Sequence, residues 1–106
     1  MNSTRLADTL VHGGRPDGPS GQQVNWPVEL GSTVVFDTLD AFEAARDSRY
    51  ENGTPYYGRY GNAATFSLEN LLAELDCADG VTLTSSGVSA ITSALLAVAR
   101  PSTHLL

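Results

Sequence analysis

Two short stretches of this sequence carry residue types that can together hold a dianion. The first is Tyr56-Tyr57-Gly58-Arg59-Tyr60-Gly61-Asn62. A guanidinium grips a phosphate through two parallel hydrogen bonds, a phenol donates a third, and flanking glycines let the backbone curl around the anion. Tyr57 and Arg59 are the natural pair; taken alone, the same stretch reads more simply as a surface loop with aromatic packing. The second is Ser85-Ser86-Gly87, further along the chain. Placed between a strand and a helix, it presents unpaired amides and the positive end of the helix dipole, and Gly87 lets an anion approach the backbone. As a bare triplet it reads equally as an ordinary helix start, since Ser85 or Ser86 is a favoured N-cap. Neither serine sits in a Gly-x-Ser-x-Gly elbow, so serine nucleophilicity is not expected.

The elements that must position these stretches follow from periodicity and breakers. Seven of the ten glycines and four of the five prolines fall within residues 1–60, which therefore read as an arm and not a core. Within it, Arg5 to His12 is expected as a short helix broken by His12-Gly13-Gly14-Arg15-Pro16, and residues 17–32 as irregular chain. Thr33-Val34-Val35-Phe36 has the content of a short strand, and Thr38 can cap a helix through Ala41, Phe42 and Ala45. Asp40 and Glu43 suit that helix's first turn. From Thr65, Leu68, Leu71, Leu72 and Leu75 recur at helical spacing, with Asp79-Gly80 expected as the stop. Val81-Thr82-Leu83-Thr84 then reads as a strand. Val88, Ile91, Leu95 and Val98 read as the core face of a second helix ending before Pro101, and His104-Leu105-Leu106 as the next strand beginning. Helix, strand, turn, helix, strand is the opening of an α/β layer whose faces and edges are left uncovered. The expectation is an N-terminal portion of a larger protein, or an obligate partner of one.

Composition narrows the function classes. The chain has 106 residues, 42% of them apolar, enough for one small domain with a modest core. All six basic residues are arginines against twelve carboxylates, and lysine is absent; the net charge of -6 argues against a nucleic-acid or anionic-membrane binder. No apolar run approaches a membrane span and no signal-peptide order opens the chain, so the cytoplasm is the expectation. One cysteine, Cys77, cannot make an internal disulfide, and no Cys/His spacing fits zinc. Cys77 is expected to pack as a small apolar residue. His12 and His104 show no acidic or serine partner in sequence, and Trp26 beside Pro27 reads as packing and not as ligand stacking.

Taken as a series, these pieces resemble the pyridoxal-phosphate enzymes of cysteine and methionine metabolism, the cystathionine lyases and synthases. The likeness runs through Leu10-Val11-His12-Gly13-Gly14, Val24-Asn25-Trp26-Pro27-Val28, Tyr57-Gly58-Arg59, the helix after Thr65, Ser85-Ser86-Gly87-Val88-Ser89-Ala90 and Thr103-His104-Leu105-Leu106. Val35-Phe36-Asp37, Tyr57-Gly58-Arg59 followed by Gly61, and Phe66-Ser67-Leu68 look most like the cystathionine β-lyase branch. The synthase and γ-lyase branches usually show Asn-Pro-Thr where this chain has Asn62-Ala63-Ala64-Thr65. Asp76-Cys77-Ala78-Asp79-Gly80 departs from the family's acidic-glycine-glycine helix end, and Val88 stands where methionine or alanine is common.

The resemblance implies a fold-type I, aspartate aminotransferase-like α/β architecture. Residues 1–60 would be an N-terminal arm and oligomer contact, and 61–106 the start of the pyridoxal-phosphate-binding domain. It implies that the amides of Gly87 and Val88 hold the cofactor phosphate, and that Tyr57 and Arg59 reach the phosphate in a neighbouring subunit's site, with Tyr57 also assisting near the reacting substrate. The implied protein is a homo-oligomer with shared active sites. It would cleave cystathionine to homocysteine, pyruvate and ammonia in methionine biosynthesis, the cofactor serving as electron sink. The family's lysine for covalent cofactor attachment lies beyond Leu106, so the isolated chain is expected to be inactive. A γ-lyase or γ-synthase shares every residue named, and a non-catalytic phosphate-binding or interaction module is the alternative from another class.

Overall fold

A computed structural model of the chain describes residues 3–16, 23–102 and 104. Four helices occur in order: α1 (Ser3–His12), α2 (Leu39–Asp47), α3 (Ala63–Asp76) and α4 (Gly87–Val98). Each of the last three begins where a side chain captures a first-turn amide. Thr38 Oγ1 accepts from Ala41 N at 3.1 Å and starts α2. Asn62 Oδ1 accepts from Thr65 N at 3.0 Å while Thr65 Oγ1 accepts from Asn62 N at 2.7 Å, a reciprocal box that starts α3 two residues before Thr65. Ser86 Oγ accepts from Ser89 N at 3.1 Å, which makes Ser86, and not Ser85, the cap of α4.

The end of α3 differs from expectation. It stops at Asp76, and Cys77 adopts the left-handed conformation at φ 52°, with Ala78 N donating to Ala73 O at 2.9 Å. The terminus therefore falls just after Leu75, the last leucine of the stripe, and Asp79-Gly80 lies beyond it. Cys77 is exposed and caps the helix end, so the packing role expected for it is not what it does. His12 also differs: Asp8, one turn earlier, places a carboxylate oxygen 3.9 Å from its Nε2 on an exposed face.

Among the described residues, α1 and α3 are the helices that pack on each other. Thr9 on α1 and Phe66 on α3, 8% and 9% exposed, are the buried residues of the described chain. Thr9 Oγ1 donates to Glu74 Oε1 at 3.2 Å, and Arg5 Nη2 lies 3.5 Å from the same oxygen. Past α1 the chain turns over α3, where Ser67 Oγ and Trp26 Nε1 both donate to Gly14 O, at 2.7 and 3.0 Å. Trp26 is half-buried there.

The expected strands do not form among the described residues. Residues 33–36 contribute a single antiparallel bridge, Thr33 with Tyr57, and residues 81–84 pair with no strand. β-branched content supplies a preference, but a strand exists only when its N–H and C=O groups meet a neighbouring strand's. The α/β layer is thus not formed in the described chain, which is helical. The strand expected at His104-Leu105-Leu106 lies, apart from His104, outside the described residues. Likewise no residue of α4 is buried, and Val88, Ile91, Leu95 and Val98 are exposed. A self-contained monomer of this 11.2 kDa mass exposes about 5,700 Å²; this chain exposes 8540 Å². The excess, about 2,800 Å², is on the scale of an obligate interface.

Candidate functional site

The loop between α2 and α3 is held by aromatic packing. Phe42 on α2 meets Phe36 edge-on and Tyr56 at a tilt, each with ring centroids 5.7 Å apart; Tyr56 continues to Tyr60 at 5.7 Å, and Tyr60 to Tyr50 at 5.5 Å. These spacings lie in the favourable range for offset and edge contacts. Two glycines let the backbone close. A Cβ on Gly58 would sit 2.9 Å from Ser32 Cα, where Gly58 N donates to Ser32 O at 2.7 Å. Gly61 has φ +134°, and a Cβ there would run into the Phe66 ring.

This packing places Arg59 among phenols. Its guanidinium lies 5.2 Å from the Tyr60 ring centre and 5.5 Å from that of Tyr57, and its Nη2 donates to Tyr60 Oη at a long 3.5 Å. Hydrogen bonding from Arg59 is the first cause holding the Tyr60 phenol below its ordinary value; Tyr50 and Arg49 add to it, and desolvation opposes it. Arg5 and Arg46 meet carboxylates. Arg59 meets none among the described residues, so its fork remains available to an anion. Tyr57 and Arg59 thus lie side by side on an exposed loop.

The second stretch is organised by α4 alone. Of the first-turn amides, Ser89 N is taken by Ser86 Oγ, while those of Gly87 and Val88 have no intrahelical acceptor and no other partner among the described residues. A Cβ built on Gly87 meets nothing within 4 Å, and Val88 is exposed. These two amides and the helix dipole face open space, the arrangement that receives an anion.

The cavities that Arg59 lines do not include the second stretch. Arg59 lines an open cavity of about 300 Å³ with Arg49, Asn52, Tyr60, Glu69 and Leu83, and a second of about 300 Å³ with Tyr56, Tyr57 and Phe42. Gly87 and Val88 line neither. Nothing in their spacing marks Arg49, Asn52 or Glu69, whose proximity arises from residues far apart in sequence. Among the described residues no three His, Cys, Asp or Glu side chains are grouped to hold a metal ion, and no helix is long and apolar enough to cross a membrane.

A capped helix end with two open amides, and a loop whose guanidinium meets no carboxylate among the described residues, are donors of the kind a phosphorylated ligand needs. The chain belongs to the Cys/Met metabolism PLP-dependent enzyme family, whose model matches residues 7–106. It is 32% identical over 106 residues to the cystathionine beta-lyases of Salmonella typhimurium and Escherichia coli, covering 100% of this chain and 27% of each relative. An L-methionine gamma-lyase of Fusobacterium nucleatum subsp. polymorphum is 32% identical over 101 residues, 95% of this chain and 25% of that protein. The chain therefore spans about a quarter of the length of these relatives. No solved structure matches it. Pyridoxal phosphate is the family's cofactor. The donors present fit its phosphate end, and the sequence holds no lysine to take its aldehyde end.

Proposed function

We propose that this chain is the N-terminal segment of a pyridoxal-phosphate-dependent carbon–sulfur lyase of fold-type I, acting on cystathionine to give homocysteine, pyruvate and ammonia in cytoplasmic methionine biosynthesis. Residues 1–60 form its arm and oligomer contact, and residues 61–106 open its cofactor-binding domain. The carrying observation is the pair of open amides on Gly87 and Val88 at a capped helix terminus, in a chain similar along its whole length to two cystathionine beta-lyases.

When bound, the cofactor supplies an electron sink for carbanion chemistry at the substrate's α-carbon. The residues of this chain bind and orient. The amides of Gly87 and Val88 hold the phosphate of their own subunit, aided by the α4 dipole. Arg59 and Tyr57 extend from the arm to the phosphate of a neighbouring subunit, with Tyr57 beside the reacting substrate. The active site is then shared across a homo-oligomer, in keeping with Gly87 and Val88 lining neither cavity that Arg59 lines. With no lysine, the 106-residue chain by itself turns nothing over.

Mixed oligomers of the whole enzyme test this directly. Gly87→Pro deletes one anion-facing amide while keeping the helix, because proline is tolerated at the first helical position and Ser86 is already extended at φ -162° and ψ 160°. Arg59→Ala and Gly87→Pro subunits, each impaired alone, should recover activity when mixed, since one pairing rebuilds an intact site. No recovery rejects the shared site. The L-methionine gamma-lyases among the relatives favour γ-elimination as the second reading. Pyruvate released from cystathionine supports the β-lyase, and 2-oxobutyrate the alternative.

A further inference from the structure

Glu69 ties together two segments that are distant in sequence. Its Oε2 accepts from Asn52 Nδ2 at 2.8 Å, and its Oε1 accepts from Leu83 N at 3.0 Å. Asn52 stands in the loop that leads to Tyr57 and Arg59, and Leu83 in the chain that leads to the Ser86 cap and the amides of Gly87 and Val88. Residues 81–84 pair with no strand, and among the described residues the bond from Leu83 N is the one hydrogen bond a backbone amide of that segment makes outside it. Glu69 sits on α3, the helix that packs against α1, and the cavity beside it is lined by Arg49, Asn52, Arg59 and Leu83.

We propose that Glu69 is a positioning residue for phosphate recognition, a carboxylate strut on α3 that holds the Arg59 loop and the approach to the α4 amides in place, each for the phosphate site it serves. The inference rests on the reading of both stretches as phosphate donors. One oxygen serves each segment, so the carboxylate links them only while both bonds are made. Bonds to a charged acceptor are stronger than neutral ones, and the half-buried setting of Glu69 retains part of that strength. A displacement of about 1 Å at either segment is enough to degrade hydrogen bonding to a dianion.

The test compares binding of pyridoxal phosphate and of pyridoxal, which lacks the phosphate, to the whole enzyme and its variants. Glu69→Ala should weaken pyridoxal phosphate about tenfold and leave pyridoxal unchanged. Asn52→Ala, an exposed change that spares the fold, should weaken pyridoxal phosphate about threefold with pyridoxal again unchanged. Glu69→Gln should restore most of the affinity, because its carbonyl accepts from Leu83 N and a turned-over Asn52 amide accepts from its NH₂. An equal loss for both ligands, or no loss for either, would mean that Glu69 is merely structural and would overturn the proposal. Should Glu69→Ala fail to fold, the Asn52→Ala selectivity decides by the same criterion. If the unmodified enzyme bound pyridoxal as tightly as pyridoxal phosphate, the phosphate-site reading itself would fail.

Discussion

The tyrosine loop and helix α4 present anion donors of similar number, and they are supported in opposite ways. Around Arg59, five aromatic rings, the Thr33–Tyr57 bridge and the bond between Gly58 and Ser32 tie the loop to segments far away in sequence. Around Gly87, one serine cap organises the terminus, and among the described residues no other helix packs on α4. Local capping is therefore sufficient to aim two amides, while packing is required to aim a guanidinium, whose long side chain has several torsions to restrain. Among the described residues no residue of α4 is buried, so packing does not fix the position of those amides as it fixes the loop.

The largest test of that contrast is Phe66→Ala. Removing the most buried ring should cost about 3 kcal/mol, read as lost amide-exchange protection through residues 56–66. Ile91→Ala on α4 in the same isolated chain should change protection by less than about 0.5 kcal/mol, as expected of an exposed site. Equal effects would break the contrast. Next in size, Ser86→Ala should weaken α4 by about 1 kcal/mol, seen as faster exchange through its first turn with the tyrosine loop unaffected. Smaller and of opposite sign, Cys77→Gly should stabilise α3 by about 0.5 kcal/mol, measurable by denaturant midpoint in the whole enzyme. It relieves a left-handed non-glycine residue at a cap that does not depend on α4.

The smallest effect is a titration. Tyr60 ionises below its ordinary value of 10.0 because Arg59 donates to it and lies beside it. Arg59→Gln should move the Tyr60 phenol back upward in a spectrophotometric titration. A lowered acid favours the folded state most above its ordinary value, and that gain disappears as pH falls through the lowered value. Tyr60 is only partly buried, so solvent screening keeps the linked change in stability slight. An unshifted titration would show that Arg59 does not rest on Tyr60.

Several features were legible without coordinates because they act over a few residues. A serine announces α4, the choice of Ser86 over Ser85 coming from the structure, and Thr38 announces its helix through a bond to the amide three positions on. Asn62 does the same, although the leucine spacing alone places the start of α3 at Thr65, since the box uses Thr65 as its third helical residue. The proximity of Tyr57 and Arg59 was likewise readable, because two residues two positions apart in a glycine-rich turn are brought together by the turn itself. Cys77 was not readable as a cap, since a left-handed cysteine is a conformational exception that residue type argues against.

What the sequence by itself determined is the chemistry on offer and the local starts of its helices: an arginine–tyrosine pair, two open amides after a serine cap, and no lysine. Only the tertiary structure decided that residues 33–36 make a single bridge and residues 81–84 pair with no strand, that Glu69 reaches both Asn52 and Leu83, and that the leucine and valine face of α4 lies open. The physical reason is range. A cap closes through bonds spanning one helical turn, whereas strands, struts and buried faces require partners from elsewhere in the fold, whose placement no local residue pattern specifies.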